Sequence, residues 1–394
     1  MTTEELTAWL RLSLTEGVGN DAAQRLLTRF GSPEAVFEQP ACNLRDVVSA
    51  TQADALIEAP LTLEMQLART QHWLAHSTPT CERAVWCLGD AHYPAALLQL
   101  SDPPLMLYAQ GQLSWPLPPA VSVVGSRNPT PQGAQTAEQL AEALARAGLC
   151  VVSGLALGVD GAAHRGALPS AQGTAAETTR ASQAHNRTDA PSVPMLRTIA
   201  VVGTGLDRVY PRQHHALAQA ITQHGWLLSE YPLGTAPLAH HFPRRNRLIA
   251  ALGLGTLVVE AALQSGSLIT AQLALELGRA VMAIPGSIHA PQSRGCHALI
   301  QEGAKLVATL QDVLEELQPL PTGLLMHNNS DTPDPPAPEH PLLVHMGHVP
   351  VSLHALQTRT AWGTADLLAA LLTLELEGVV ARLPGGLYQR LNTL

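Results

Sequence analysis

The sequence predicts an α/β protein built around a mostly parallel sheet with helices on both faces, and three observations carry that prediction. From Ala120 onward, apolar runs of strand length alternate with helical runs at the pitch that parallel strands joined by crossover helices require. Glycines and charges cluster just after those strands, where such sheets hold their ligands. A 46% apolar content over 394 residues is ample for a sizeable core and for two or three domains.

The first segment, 1–75, has apolar and polar residues at helical spacing over 4–14, 21–30, 33–38 and 52–73. Gly17-Val18-Gly19 makes a tight turn between the first two helices. Its N–H groups suit either a phosphate, as in a helix-hairpin-helix, or a compact packing unit with acidic flanks. The central domain, 85–318, offers strands at 121–124, 149–153, 198–202, 226–229, 256–260 and 280–284. Helices are expected at 132–147, 211–223, 246–252, 268–277 and 296–302. Within it, 169–194 is rich in Ala, Ser, Thr, Gln and Pro with almost no large apolar residue, which predicts a mobile insertion. Residues 319–341 have the proline content of a semi-extended linker. In the last segment, 342–394, helices at 352–359 and 363–376 precede VVARLPGGLYQRL, a strand, turn and strand, and that order predicts a winged helix.

Net charge is −9, but its distribution matters more than its sum. Residues 121–310 hold 14 Arg or Lys against 10 Asp or Glu, a local +4, while the remainder holds 9 against 22. Lys305 is the sole lysine, so the choice of arginine elsewhere carries little functional weight. Cys42, Cys81, Cys87, Cys150 and Cys296 make no CxxC pair, which argues against a disulfide framework and a zinc cluster. His214-His215 and His240-His241 are adjacent pairs and lack the spacing of a helical metal site, so neither metal nor cofactor is expected. With neither a leader-like segment nor a run of 18 apolar residues, a cytoplasmic protein without a membrane segment is expected.

The most informative stretch is VSVVGSRNPTPQG, 121–133. A β-branched run ends at Gly125, Ser126 and Arg127 follow, and a Pro-broken loop opens a helix. Such a loop places free N–H groups and a positive helix end around an anion, and Arg127 adds a planar fork for phosphate oxygens. Because strand ends meet on one rim, Arg127, Arg165, Arg245, Arg247 and the helix start Ser265-Gly266-Ser267 are expected to converge as a second anion site. Asp160 and His164 are spaced to pair as a structural contact. Glu260 sits in an apolar strand, where a carboxylate is costly unless paired, and is expected to be a counter-ion for Arg245 or Arg247. Ser126 lacks a nucleophile elbow, and no catalytic constellation stands out.

VVGSRNPTPQG, SGLALGVDGAAHRGAL, TIAVVGTGLDRVYPRQ, FPRRNRLIAALG and VVEAALQSGSLITAQLALELGR, in this order, resemble the DNA-processing protein A family, also called Smf. The resemblance spans roughly 88–317. It implies an extended Rossmann-like domain, a sterile-alpha-motif-like helical domain before it and, as in some members, a winged helix after it. It implies single-stranded DNA binding, dimerisation and loading of the RecA recombinase during natural transformation, without enzymatic activity. It places Gly125, Ser126 and Arg127, then Phe242, Arg245, Asn246 and Arg247, then Ser265, Gly266 and Ser267 on the strand, with Phe242 stacking on a base. His214 or His215, and His297, stand where the family usually has Asn. The acidic helix 363–377 suggests protein contact for the winged helix. The helical tail 299–317 gathers Leu306, Leu310 and Leu314 around an apolar stripe that reads equally as simple core packing, and the resemblance tips it toward a dimer surface. The other function in play is a nucleotide-processing enzyme of the nucleoside monophosphate phosphoribohydrolase type. Its PGGxGTxxE segment corresponds here to ALGLGTLVVEAALQSGSL, without the first Pro-Gly-Gly.

Overall fold

Nine strands, six of them foreseen from their apolar runs, form the central sheet of a computed structural model that describes residues 1–169, 195–318, 340–347, 351–360, 362–383 and 387–391. The expected insertion, Pro169 apart, and the expected linker up to 339 lie outside the described residues. The strands are β1 (Glu82–Cys87), β2 (Met106–Gly111), β3 (Ala120–Val124), β4 (Cys150–Ser153), β5 (Thr198–Val201), β6 (Gly225–Ser229), β7 (Gly255–Val258), β8 (Ala280–Ala283) and β9 (Lys305–Leu306). Their order is β1-β2-β6-β5-β4-β3-β7-β8-β9. From β6 to β9 all pairs are parallel, and β1 and β2 add an antiparallel edge. The chain builds outward from β3 in one direction through β6, then restarts on the other side of β3 with β7. The crevice between β3 and β7 is therefore the topological switch point, where the loops after two neighbouring strands leave toward opposite faces.

Alternation along the strands divides the core between the two faces. Val121, Val123 and Val151 pack under α7 (Pro131–Arg146) and α8 (Val159–Ala167). Ala120, Val124, Cys150 and Val152 pack under α10 (His241–Leu252) and α11 (Gly266–Glu276). Helix α8 is buried nearly all round, and its small residues allow that: a Cβ on Gly166 would lie 1.9 Å from the Glu138 carbonyl oxygen of α7. The remaining helices of this part are α9 (His215–His224), α12 (Arg294–Gln301) and α13 (Leu310–Glu316). The expected helical tail 299–317 is thus two short helices with β9 between them. Leu310 and Leu314 pack half-buried against the protein's own core, Val313 and Leu317 are buried, and Leu306 is 45% exposed on the edge strand.

The N-terminal helices are α1 (Thr3–Leu14), α2 (Asn20–Phe30), α3 (Pro33–Phe37), α4 (Ala41–Arg45), α5 (Ala50–Ile57) and α6 (Leu63–Ala75). The expected single helix over 52–73 is two, parted around Pro60. Capping boxes at Thr2/Glu5 and Ser49/Gln52 start α1 and α5. Leu10, Leu26 and Leu56 share one apolar core with Tyr108, Leu155, Val202 and Leu227, so these helices pack directly on the sheet. The Gly17 turn has φ +77°, its carbonyl accepts a 2.9 Å bond from Gln52, and Val18 is buried in that core. Farther along, α14 (Pro341–Met346), α15 (Leu353–Thr360) and α16 (Thr364–Leu376) surround a sheet of β10 (Val351–Ser352), β11 (Val380–Leu383) and β12 (Leu387–Arg390) in the order β10-β12-β11. That is a winged helix. No helix among the described residues is long and apolar enough to cross a membrane.

His164 and Asp160 do not pair. Thr198 donates its hydroxyl to the Val151 carbonyl, so at 2.7 Å its Oγ1 accepts from Nδ1–H of His164. The Asp160 carboxylate instead accepts from the Ala156 N–H at 3.3 Å. Burial first, then the charges of His214, Arg245 and Arg165, push the His164 pKa from 6.5 down to about 3. A depressed histidine stabilises the fold fully above its ordinary value and less as pH falls from there toward the folded value. Stability is therefore expected to fall as pH drops below 6.5, by roughly 1 kcal/mol per pH unit down to about pH 5, on this account alone. Denaturant midpoints of wild type and His164→Gln at about pH 7.5 and about pH 5.5 check it; equal losses in both proteins would refute it.

Candidate nucleic-acid interface

The loop after β3 is fixed from several sides. A Cβ on Gly125 would lie 2.7 Å from the Val159 side chain and 2.9 Å from the Glu260 carbonyl oxygen, so only glycine fits between β7 and α8. The Ser126 N–H donates to the Glu260 carbonyl at 2.6 Å, and the Ser126 carbonyl accepts from the Val159 N–H at 3.0 Å. Its hydroxyl accepts from the Asn128 N–H at 3.1 Å and closes the turn. With Ser126 held, Arg127 projects into solvent and lays its guanidinium 5.4 Å from the centroid of the Phe242 ring. The Phe242 ring in turn lies 5.5 Å from Tyr210, tilted by 38°. Gly203, at the end of β5, lets Phe242 settle on the backbone: a Cβ there would be 3.2 Å from the ring. Arg127, Phe242 and Tyr210 thus form a row along the carboxyl rim of the sheet.

Tyr210 was not among the expected site residues. Its signal was its place in GTGLDRVYP, the loop following β5, where it is 45% exposed. Arg208 and Arg212 are exposed on the same loop.

Beside this row, α11 begins at the end of β7. Ser265 caps it by accepting from the Ser267 N–H at 3.3 Å, and the two hydroxyls lie 2.7 Å apart. Asn246 ties α10 to this start by donating to the Gly266 carbonyl at 3.3 Å. Gly266 faces open space. Asn246, Ser265, Gly266 and Ser267 are therefore brought together across the switch point from the Gly125-Ser126-Arg127 loop.

The expected ring of arginines is not formed. Arg165 lies on the outer face of α8, 3.4 Å from Glu138 of α7. Arg247 is turned inward against Glu230 at 2.5 Å and Asp102 at 3.3 Å. Arg245 is buried beneath the rim, where Nη1 donates to the carbonyls of Gly154, at 2.6 Å, and Val201. Burial lowers its pKa to about 10, with Asp160 acting against that shift. The physical reason is helical geometry: consecutive positions of FPRRNR turn by about 100°, so one short run sends its cations in different directions.

Glu260 is likewise not the counter-ion of Arg245 or Arg247. Its carboxylate accepts from the Thr130 N–H at 2.9 Å and the Thr130 hydroxyl at 2.6 Å. Thr130 itself caps α7 through the Gly133 N–H at 3.0 Å. Glu260 thereby ties the loop bearing Arg127 to β7, and burial pushes its pKa up against the two bonds from Thr130. His214 and His297, at the atypical positions, contact the backbone at Leu155 and Gly286. No group of three metal-ligating side chains occurs among the described residues.

Comparison with known proteins follows the same outline. A family model described as DNA recombination-mediator protein A matches residues 84–318, and one described as the DprA winged helix domain matches 327–386. Protein Smf of Escherichia coli is 40% identical over 311 residues, covering 76% of this chain and 75% of that protein. DNA processing protein DprA of Streptococcus pneumoniae is 44% identical over 229 residues, covering 58% of this chain and 72% of that protein. The solved structure of DNA processing protein A from Streptococcus pneumoniae superposes with a TM-score of 0.61 at 34% identity, over 80% of this chain and 98% of that one.

Proposed function

The chain belongs to the DNA recombination-mediator protein A family, and from that premise we propose that it binds single-stranded DNA along the carboxyl rim of its sheet and hands the strand to a RecA-type recombinase in the cytoplasm during natural transformation. The observation that carries the reading is the row of Arg127, Phe242 and Tyr210 at the switch point. An exposed cation stacked on an aromatic ring, continued by a second ring, gives unpaired bases a platform and their phosphates a partner, whereas a duplex offers no base faces to stack. The α11 start supplies N–H groups for a neighbouring phosphate. The role is non-enzymatic. In ALGLGTLVVE the glutamate stands four residues after Thr256, whereas the phosphoribohydrolase segment has it three after its Thr, which disfavours that alternative.

Fluorescence anisotropy with an oligo-thymidine strand tests the reading. Affinity should fall steeply from low to physiological salt. Arg127→Ala and Phe242→Ala should each weaken binding by about 1–3 kcal/mol with unchanged melting. Salt-independent binding, or full affinity in both variants, would remove the site from the rim, and base release from nucleoside monophosphates would support the enzyme. Assembly of a RecA filament on the strand, with and without the protein, tests the delivery step.

We further propose that two copies pair at the sheet edge carrying Leu306, with Leu310 and Leu314 beneath, so that two strand sites are linked. Leu306→Glu should then give a folded monomer with weakened filament assembly. Light scattering of a wild type already monomeric at micromolar concentration would refute this.

A further inference from the structure

In a winged helix the third helix ordinarily carries the cations that enter a DNA groove, and here α16 presents something else. Leu367, Leu371 and Leu374 turn into the unit's core, whereas Leu368, Leu372 and Leu376 are 42%, 57% and 82% exposed. A spacing of four places these three one above the other along a single face. Exposed Ala365 and Ala369 widen the same face without interrupting it. Single exposed leucines are ordinary on a surface, but a continuous row of three on a 13-residue helix is a patch.

Its border is acidic. Asp366, Glu375 and Glu377 are exposed on or just beyond this helix, which has no Lys or Arg. Glu375 and Glu377 lie at the carboxyl end, where the helix dipole is already negative, so they deepen the negative potential there. That placement costs stability in the free protein and is relieved by a cation from outside.

We propose that the Leu368, Leu372 and Leu376 row of α16 docks a helical segment of a partner protein, one with its own apolar row bordered by Lys or Arg. Apolar rows pack together while the partner's cations meet Glu375 and Glu377, which sets orientation and excludes acidic partners. Duplex DNA fits this face poorly because phosphates meet three carboxylates. A second copy would set two cation-free acidic helices side by side. The chain's own segments outside the described residues bring no net positive charge: 170–194 has two Arg against Glu177 and Asp189, and 319–339 has only Asp331, Asp334 and Glu339.

The test uses the full chain and a fluorescein-labelled synthetic helix of leucine and lysine, with one control replacing its lysines by glutamate and another its leucines by serine. Wild type should bind the leucine-lysine helix at least tenfold more tightly than either control. The triple variant Leu368→Ser, Leu372→Ser, Leu376→Ser should lose at least tenfold, and Glu375→Gln with Glu377→Gln several-fold. All substituted side chains are exposed, so helical circular dichroism and melting should be retained. Equal binding by wild type and a folded triple variant, preference for the glutamate helix, a lower oligomeric state in the triple variant, or duplex binding that depends on this row would each overturn the proposal.

Discussion

Replacing Arg247 with alanine is expected to lower the unfolding free energy by about 3–5 kcal/mol while leaving strand affinity of the folded fraction close to wild type. The guanidinium lies 2.5 Å from Glu230 and 3.3 Å from Asp102, and the Arg247 and Glu230 side chains are only 9% and 6% exposed. Truncation strands a buried carboxylate whose pKa burial already raises, with only the half-exposed Arg244, 3.9 Å away, to oppose it. Glu230 then folds more readily in its protonated form. A raised carboxyl pKa means that the variant gains stability relative to wild type as pH falls and loses it as pH rises through the folded value. The deficit should therefore be larger at about pH 8 than at about pH 5. Adding Glu230→Gln should recover part of the loss, because the charge left unpaired is gone. Denaturant titrations at both pH values measure this. If Arg247→Ala instead melts like wild type and loses strand affinity, the side chain touches DNA and the pairing with Glu230 is incidental.

The same residue shows where the sequence was legible and where it was not. The six inner strands announce themselves because both faces of a parallel strand are buried, so Val121, Val123 and Val124 or Val151 and Val152 are apolar on both faces, with Ser122 admitted only because its hydroxyl donates to the Ile249 carbonyl. Antiparallel β1 and the two-residue β9 give no such run, and β2, although Leu105 to Ala109 is apolar throughout, lies ahead of the alternating strands and helices that begin at Ala120; none of the three was foreseen. At the rim, Gly125-Ser126-Arg127 was legible because a glycine forced by close approach, followed by an outward cation, is a local property of the chain. Arg245, Arg247 and Glu260 were not. Their partners are Val201, Asp102 and Thr130, far away in sequence, and only the packing of α10 against the strand ends decides which side of the helix faces in. A cluster of like charge in sequence says that cations are near one another, and not that they point the same way.

Arg245 makes the contrast sharpest, and Arg245→Met is expected to cost about 3–5 kcal/mol, the range for removing one partner of a buried charged network. Nη1 serves two carbonyls at once, Gly154 after β4 and Val201 of β5. Methionine fills much of the volume but donates to neither, leaving both oxygens buried without that donor. Asp160, whose pKa burial raises and Arg245 lowers, also loses its opposing charge. Asp160→Asn combined with Arg245→Met should therefore be less destabilised than the sum of the two single changes. Gly154→Ala should mimic the loss from the other side, since its Cβ would lie 2.1 Å from Nη1 and displace the guanidinium. Strand affinity should decline in step with the folded fraction in all of these, whereas Arg127→Ala loses affinity at full stability. Calorimetric melting beside anisotropy separates the two patterns. An Arg245→Met protein that melts normally and binds weakly would move this arginine from the foundation of the rim onto the strand itself.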